Sequence, residues 1–321
     1  MKYVTAGVLV VLVVFLGVNG YLSFKFLTGK SSAQIANNRL LENTLALPQV
    51  SGVSILPLVD FEAAREGLKT EPGLSYLVRV EGESVLFDVG YNKGREEVSP
   101  LLHNMEELGV ALEDITSAAI SHNHVDHVGG LNSRNQVIEL GKGEVDMHGL
   151  RIYTPVDMKC TGAEAVTVAG PMMITGHIGT TGPLVAQLYV SGAVREQSLL
   201  VNLRDKGLVL ISGCGHPQII KMVEAAQKIT GERVYAVVGG FHLYYTKPNG
   251  GTLPVIFGSN RLFARKPDKK DVEETILELR SLGVQKVHLS PHDADEPTME
   301  MFHEHFGADY GRVAIGQTIE L

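Results

Sequence analysis

Cysteine is scarce in this chain: of 321 residues only Cys160 and Cys214 carry a thiol. A dense disulfide framework is therefore excluded as the source of stability, and one bridge between these two is the most the sequence allows. Cationic excess is lacking as well. Lysine plus arginine total 28 against 36 acidic residues, a formal charge of −8, so no polyanion-binding surface is expected and nucleic acid is not an expected partner. The Gly-x-Ser-x-Gly elbow, the Gly-x-x-x-x-Gly-Lys-Ser/Thr loop and the Gly-x-Gly-x-x-Gly fingerprint are all missing, which removes serine-hydrolase, P-loop and dinucleotide readings. What is present is an apolar content of 44%, enough for a sizeable core, and 12 histidines. Several of those histidines sit in short glycine-containing segments that read as loops at strand ends.

Charge is absent from residues 3–24. As a helix rising about 1.5 Å per residue, that run would cover about 33 Å, enough to span a bilayer. Lys2 precedes it and Lys25 and Lys30 follow, so flanking charge orients it only weakly. A signal anchor over residues 1–30, holding a domain outside the cytoplasm, is the expectation; a cleaved signal peptide giving a secreted or periplasmic protein is the alternative. Residues 31–49 read as a polar connector that starts with a weak helical pattern and ends at Pro48, and residues 50–321 as the folded domain.

From Val50 onward, short β-rich runs alternate with helical stretches. Strands are expected at 75–80 and 84–89, a hairpin around Gly82, and at 117–121, 151–154, 165–175, 184–190, 198–203, 208–212, 234–238 and 286–290. Helical periodicity falls at 95–108, 217–230, 270–282 and 297–306, with Pro217 and Pro297 in first-turn positions. Strands outnumber helices, and the helices come late in each half, an order that suits two packed sheets with helices outside. Residues 244–270, rich in Gly, Pro, Lys and Arg, read as a long surface loop or lid.

The strand expected at 117–121 runs into His122-Asn123-His124-Val125-Asp126-His127-Val128-Gly129-Gly130. In an extended segment alternate residues share a face, so His122 and His124 project together. Asp126 and His127 follow once the chain turns and can address a second ion. Imidazole and carboxylate both suit zinc, and three protein ligands leave a position for water. Such a density of ligand types is hard to read as a solvated polar turn. Later strand ends supply further candidates. In Ser212-Gly213-Cys214-Gly215-His216-Pro217, Cys214 reads either as a thiolate ligand or as a small buried residue, and His216 as a ligand at the mouth of a helix. His292 ends the expected strand at 286–290. His177 has three readings open: third ligand of one ion, substrate contact, or loop histidine. His242, after an apolar strand and two glycines that allow close backbone approach, reads as a substrate or leaving-group contact. His103, His148, His303 and His305 are given no role.

His-x-His-x-Asp-His-x-Gly-Gly resembles the signature of the metallo-β-lactamase superfamily of metal-dependent hydrolases. Gly73-Leu74-Ser75-Tyr76-Leu77-Val78, Val85-Leu86-Phe87-Asp88-Val89-Gly90, residues 207–216 and Val237-Val238-Gly239-Gly240-Phe241-His242 are similar to its branch around the dihydropterin-ribofuranosylaminobenzene phosphate synthases of methanogens. The resemblance extends over most of residues 70–321. It implies an α/β fold, a four-layer αββα sandwich with a binuclear metal site at one edge of the two sheets. It puts His292 in the place of the last histidine ligand and Cys214 where a bridging aspartate stands. Asp88 takes the place of the aspartate that orients an imidazole of the histidine loop through its distal N–H. His122, His124, Asp126, His127, His216 and His292 then hold two divalent ions, zinc first, with iron or manganese compatible with the same ligand types. Where the branch shows Gly-Glu-Ile-Pro-Arg and His-Cys-Thr-Gly, this chain has His177 without the arginine, and His292-Asp293-Ala294-Asp295. The expected chemistry is attack by a metal-activated water on an ester, phosphoester or related bond of a small molecule. Asp126 would hold that water and one metal, and His242 would donate a hydrogen bond to the developing charge. A synthase-like enzyme of the same branch, and a membrane-tethered metal- or ligand-binding protein without catalysis, are the alternatives.

Overall fold

Apolar runs rich in Val, Ile and Leu form the strands, and their pairing sorts them into two large sheets. The computed structural model describes residues 2–130, 136–142, 145–147, 149–246 and 251–321, the side chains of 2–11 and 252–254 apart. His148 and residues 247–250 of the expected lid lie outside the described residues. The first sheet sets side by side Ile319–Glu320, Ser54–Val59, Ser75–Val80, Glu83–Phe87, Ser117–Ala119, Arg151–Thr154 and Glu164–Thr167. The second sets Met172–Met173, Gly179–Thr180, Leu199–Leu203, Gly207–Ser212, Val234–Gly239, Lys286–Leu289 and Tyr310–Arg312, with Gln49–Val50 added beside Leu199–Leu203. The hairpin at Gly82 forms as expected: Glu81 and Gly82 have φ of 48° and 84°, the left-handed pair that a two-residue turn needs.

The helices are α1 (Lys2–Leu40), α2 (Pro100–Glu107), α3 (Ile219–Thr230), α4 (Thr252–Gly258), α5 (Lys269–Ser281) and α6 (Glu296–Phe306). Between the sheets, Tyr76, Val78, Val85 and Phe87 of the first belong to one buried apolar layer with Val201, Val209, Ile211 and Val238 of the second. Outside the first sheet α2 packs through Leu101 and Met105. Outside the second, α3, α5 and α6 pack through Met222, Ile276 and Phe302. The four-layer αββα order is thus borne out.

Local departures have local causes. Residues 165–175 do not form one strand: Glu164–Thr167 closes the first sheet and Met172–Met173 opens the second. Gly170-Pro171 lies between them, and a proline that cannot donate to a ladder suits a crossing from sheet to sheet. The helix expected from 95 starts at Pro100 because Ser99 Oγ caps Leu102 N at 3.3 Å, while Arg95 sits at φ 52°. Gln218 precedes α3 at φ 79°, so Pro217 stands before the helix rather than in its first turn. The segment expected as a loop at 244–270 contains α4 and a single 3-10 turn, Leu262–Ala264. Both cysteines are free thiols.

The expected connector is helical through residue 40, because α1 continues unbroken. Phe26, Ala33 and Leu40, seven residues apart and so on one face, are buried. Asn37 fastens the helix to the hairpin of Leu184–Leu188 and Gly192–Glu196: its Oδ1 accepts from Val185 N at 2.7 Å and its Nδ2 donates to Val185 O at 3.0 Å. The part of α1 before Phe26 is different. Val13, Phe15, Val18 and Phe24 are all more than half exposed, and the helix is long and apolar enough to cross a membrane.

Candidate metal centre

Ser117–Ala119, Gly207–Ser212, Val234–Gly239 and Lys286–Leu289 deliver their following loops to one edge of the sandwich. Glycine lets the strand ends approach. A Cβ on Gly213 would stand 2.3 Å from Ser121 Oγ, and one on Gly240 would stand 2.4 Å from Gly213 O.

Asp88 anchors the histidine loop from a fully buried position. Its Oδ1 accepts from Ser121 N at 2.6 Å, and its Oδ2 accepts from Ser121 Oγ and His127 Nδ1, both at 2.7 Å. A carboxylate only accepts, so Nδ1 of His127 carries a proton, and Nε2, 3.0 Å from Cys214 Sγ, is the atom left to bind a metal. Burial opposes a charged His127, but Asp88 and Asp126 outweigh it and raise the ring, so a cation at Nε2 would take the place of a second proton.

Ligand atoms converge in two groups. His122 Nε2 and His216 Nε2 each stand 3.1 Å from His124 Nδ1. Asp126, His127 and His292 form the second group, with His292 Nε2 3.4 Å from Asp126 Oδ2. Cys214 lies between them, near His122 and His127 on one side and His292 and Asp293 on the other. Atoms held about 2.0–2.1 Å from a tetrahedral ion stand about 3.4 Å apart, so the spacing fits a divalent cation in each group. Proton bookkeeping points the same way: two ring nitrogens approach His124 Nδ1 at once, and its single lone pair can accept only one hydrogen bond.

The electrostatics divide along the same line. Burial, then neighbouring imidazoles, hold His122 and His216 well below their ordinary range, and burial lowers His124 to about 4. These rings are neutral, the form that binds metal. In the second group burial disfavours a charged His292, but Asp293 and Asp126 outweigh it and raise the ring to about 9. Burial likewise opposes ionisation of Asp126, yet His127 and His292 keep its carboxyl well below the usual range. Burial pushes the Cys214 thiol far up, with Asp293 and Asp126 adding to it; a cation alongside reverses that order.

Two expectations change. His177 Nδ1 lies 3.3 Å from Glu83 Oε2. Glu83 begins the strand whose far end leads to Asp88, so His177 sits at the opposite end of the sheet from the cluster. Alike as a loop histidine in sequence, it is separated from the ligands by the length of a strand. His242 does reach the cluster, its ring centroid 4.6 Å from that of His216, but both its nitrogens are engaged. Nδ1 donates to Asp293 Oδ1 at 3.1 Å, and Nε2 accepts from the Tyr244 hydroxyl at 2.8 Å. A neutral His242 so held has no N–H left to donate to a substrate.

Two buried acids, Glu196 and Asp60, have no counterpart among the residues singled out in the sequence, and Asp293, which stands in the departing segment after His292, gains a role. Glu196 accepts Gly215 N at 2.7 Å and His216 N at 2.9 Å, shaping the loop that carries Cys214 and His216. Asp60 accepts Phe61 N and Ser290 Oγ, both at 2.7 Å, and the Phe61 ring stacks on His292 at 5.8 Å. Asp293 holds His242. Asp60 had a readable signal, an acid directly after a buried strand, the same signature as Asp88; Glu196 ends a short strand with no such run before it.

A two-sheet sandwich with helices outside and histidine-rich loops at one sheet edge is the metallo-β-lactamase fold, and residues 68–133 match the model of the metallo-beta-lactamase superfamily. The fold is that of the superfamily, and over residues 68–133 the sequence is similar to it. It is 27% identical over 314 residues to the 7,8-dihydropterin-6-methyl-4-(beta-D-ribofuranosyl)-aminobenzene-5'-phosphate synthase of Methanocaldococcus jannaschii, covering 85% of this chain and 98% of the relative. Among solved structures it is similar to Tm1679, a metal-dependent hydrolase of the beta-lactamase superfamily, with a TM-score of 0.58 and 23% identity over 84% of this chain and 99% of that one. It is also similar to the metallo-beta-lactamase fold protein YhfI from Bacillus subtilis, with a TM-score of 0.52 and 14% identity over 84% of this chain and 100% of that one. These two structural likenesses bear on the fold alone.

Proposed function

We propose that the chain is a metal-dependent hydrolase acting on an ester, phosphoester or related bond of a small molecule. The observation that carries this reading is the convergence of two three-residue ligand groups on either side of Cys214. His122, His124 and His216 would hold one divalent ion and Asp126, His127 and His292 the other, zinc being favoured by the donor set and iron or manganese compatible with it. Such ions supply Lewis acidity and acidify water. The chain's own contribution is positioning: Asp88 fixes the His127 tautomer, Glu196 fixes the His216 loop, and Asp293 and Tyr244 lock the His242 ring. Beside His216 lies a cavity of about 230 Å³ lined in part by Lys30, Lys221, Gln218 and Asn260, room for a small polar substrate. The test is metal analysis of natively prepared protein with a panel of phosphodiester, lactone and thioester substrates before and after chelation. Turnover should vanish with the metal and return with zinc; undiminished turnover in metal-free protein refutes the reading.

The same proposal places α1 in a membrane as an uncleaved anchor, with the catalytic domain outside the cytoplasm, supported by its exposed apolar half. Release of full-length protein by carbonate extraction sinks the anchor. A second reading, a synthase-like activity, draws support from the identity with the archaeal synthase over nearly its whole length. Formation of that enzyme's product by the purified protein would favour it over hydrolysis.

A further inference from the structure

Ile256, Phe257, Leu262 and Phe263, on α4 and the 3-10 turn after it, are 42, 50, 38 and 63% exposed. Large apolar side chains gathered in this way mark an interaction surface. Their neighbour is α1. The Phe263 ring lies 5.9 Å from Tyr189, and the Tyr189 ring lies 5.6 Å from Phe26. The Tyr189 hydroxyl stands 3.2 Å from Ser23 Oγ and 3.4 Å from Asn19 O. The charge-free run of α1 ends at Phe24, just before Lys25, so when the run fills a bilayer the hydrocarbon boundary falls beside these contacts. Tyr189 sits where interfacial aromatics collect, and Phe263 sits beside it.

The same segment packs on the metal cluster. A Cβ on Gly258 would stand 2.6 Å from His242 Cε1 and 3.4 Å from His216 Cε1, and Asn260 Nδ2 donates to His216 O at 2.9 Å. The cavity beside His216 is walled by Lys30, Ala33, Gln34 and Asn37 of α1. At about 1.5 Å per residue these lie about 9 to 20 Å along the helix past Phe24, from the outer edge of the headgroup layer outward, so the cavity opens on the water beside the bilayer surface.

We infer that residues 252–264 dock on the bilayer that α1 crosses, seating Phe257 and Phe263 at the boundary between headgroups and acyl chains and holding the mouth of the metal site against the membrane. The partner is a lipid surface, the one occupant continuous with the exposed face of α1, and Lys25 and Lys30 bring cations to the level of anionic headgroups. This rests on the anchor reading of α1, and the experiment separates the two.

The chain contains no tryptophan, so each introduced indole is a lone reporter. Full-length F257W, F263W, F15W and L277W are reconstituted into phosphatidylcholine–phosphatidylglycerol vesicles with and without lipids brominated either near the headgroup, to report on F257W and F263W, or toward the acyl-chain end, to report on F15W. Phe15 and Leu277 are exposed, in α1 and α5 respectively. Emission from F257W and F263W should shift to the blue and be quenched about twofold by brominated lipid, while L277W stays unquenched. Quenching of F15W without quenching of F257W and F263W overturns the docking and leaves the anchor standing. No quenching at any of these three positions overturns both, and equal quenching of L277W overturns the docking as a specific contact. Circular dichroism matching the parent confirms that each variant is folded.

Discussion

Replacing Asp88 by asparagine isolates the tautomer argument. Asparagine keeps the volume and tolerates the φ of 63°, and its carbonyl can still accept Ser121 N. The amide that replaces Oδ2, however, faces the His127 Nδ1–H now held at 2.7 Å, donor against donor. The ring relieves the conflict by moving its proton to Nε2, and a protonated Nε2 cannot bind a metal. Loss of such an orienting partner costs about 10- to 100-fold in metal affinity, or roughly 1.4 to 2.7 kcal/mol. The loss should fall first on an ion held by Asp126, His127 and His292, because His127 bonds Asp88 directly, whereas the other group meets Asp88 only through Ser121 Oγ, 2.9 Å from His122 Nδ1, and a hydroxyl can turn. Competition with a chromophoric chelator, read as two separate binding steps, measures this, and nitrogen-detected NMR of the His127 ring reports the tautomer. Two steps of unchanged affinity in the variant would refute the reasoning. Asp88→Ala is the poorer experiment, since it strands three buried donors at roughly 1–3 kcal/mol each and unsettles the whole loop.

Three further outcomes follow from the same geometry. Burial raises the Asp60 carboxyl to about 7 from 3.8. The folded chain therefore holds that proton more tightly than the unfolded chain, and metal-free protein should lose on the order of 4 kcal/mol as pH rises from about 4 to 7, then level off. Asp60→Asn can keep both hydrogen bonds and should remove that slope; urea midpoints at several pH values compare the two, and an unchanged slope rules out Asp60 as its source. Gly213→Ala forces a Cβ within 2.3 Å of Ser121 Oγ and should cost about 1–3 kcal/mol in denaturant unfolding together with metal content; full stability and metal content would show that the strand ends can part freely. Burial raises the Cys160 thiol to about 11, so its alkylation, followed by mass spectrometry, should be slow at neutral pH and climb about tenfold per pH unit toward that value. Fast neutral labelling would contradict the burial argument.

Much of the fold was readable because its signals are local. The Glu81-Gly82 turn, the buried run before His122 and the periodicity of α3 and α5 depend on neighbours in sequence. The gathering of His122, His124, Asp126, His127, His216 and His292 was anticipated for a related reason: each follows a strand, and parallel strands end together. His177 looked equivalent, but which end of a sheet a loop occupies depends on strand direction across the whole sheet, and nothing near His177 encodes that. The engagement of His242 by Asp293 and Tyr244 is likewise a tertiary fact. Residues 31–40 read as polar because their buried apolar residues are only Ala33 and Leu40, in line with Phe26, and part of the contact with the domain is made by polar Asn37. Glu196 was invisible because its partners are backbone N–H groups, which every sequence has.

The ligand loop of residues 122–127 follows a strand of the first sheet, whereas His216 and His292 follow strands of the second. Each three-residue group draws on both. Neither half of the molecule could complete either group alone, so an ion held there would be captured only after the halves have docked, and the nascent chain would not commit to metal early. Such an ion would act as a clasp across the apolar seam. Pulling the sheets apart would then require breaking coordination bonds before any valine or isoleucine of that seam is wetted, and the loaded protein should owe its persistence to a slow escape rate as much as to a deep energy well.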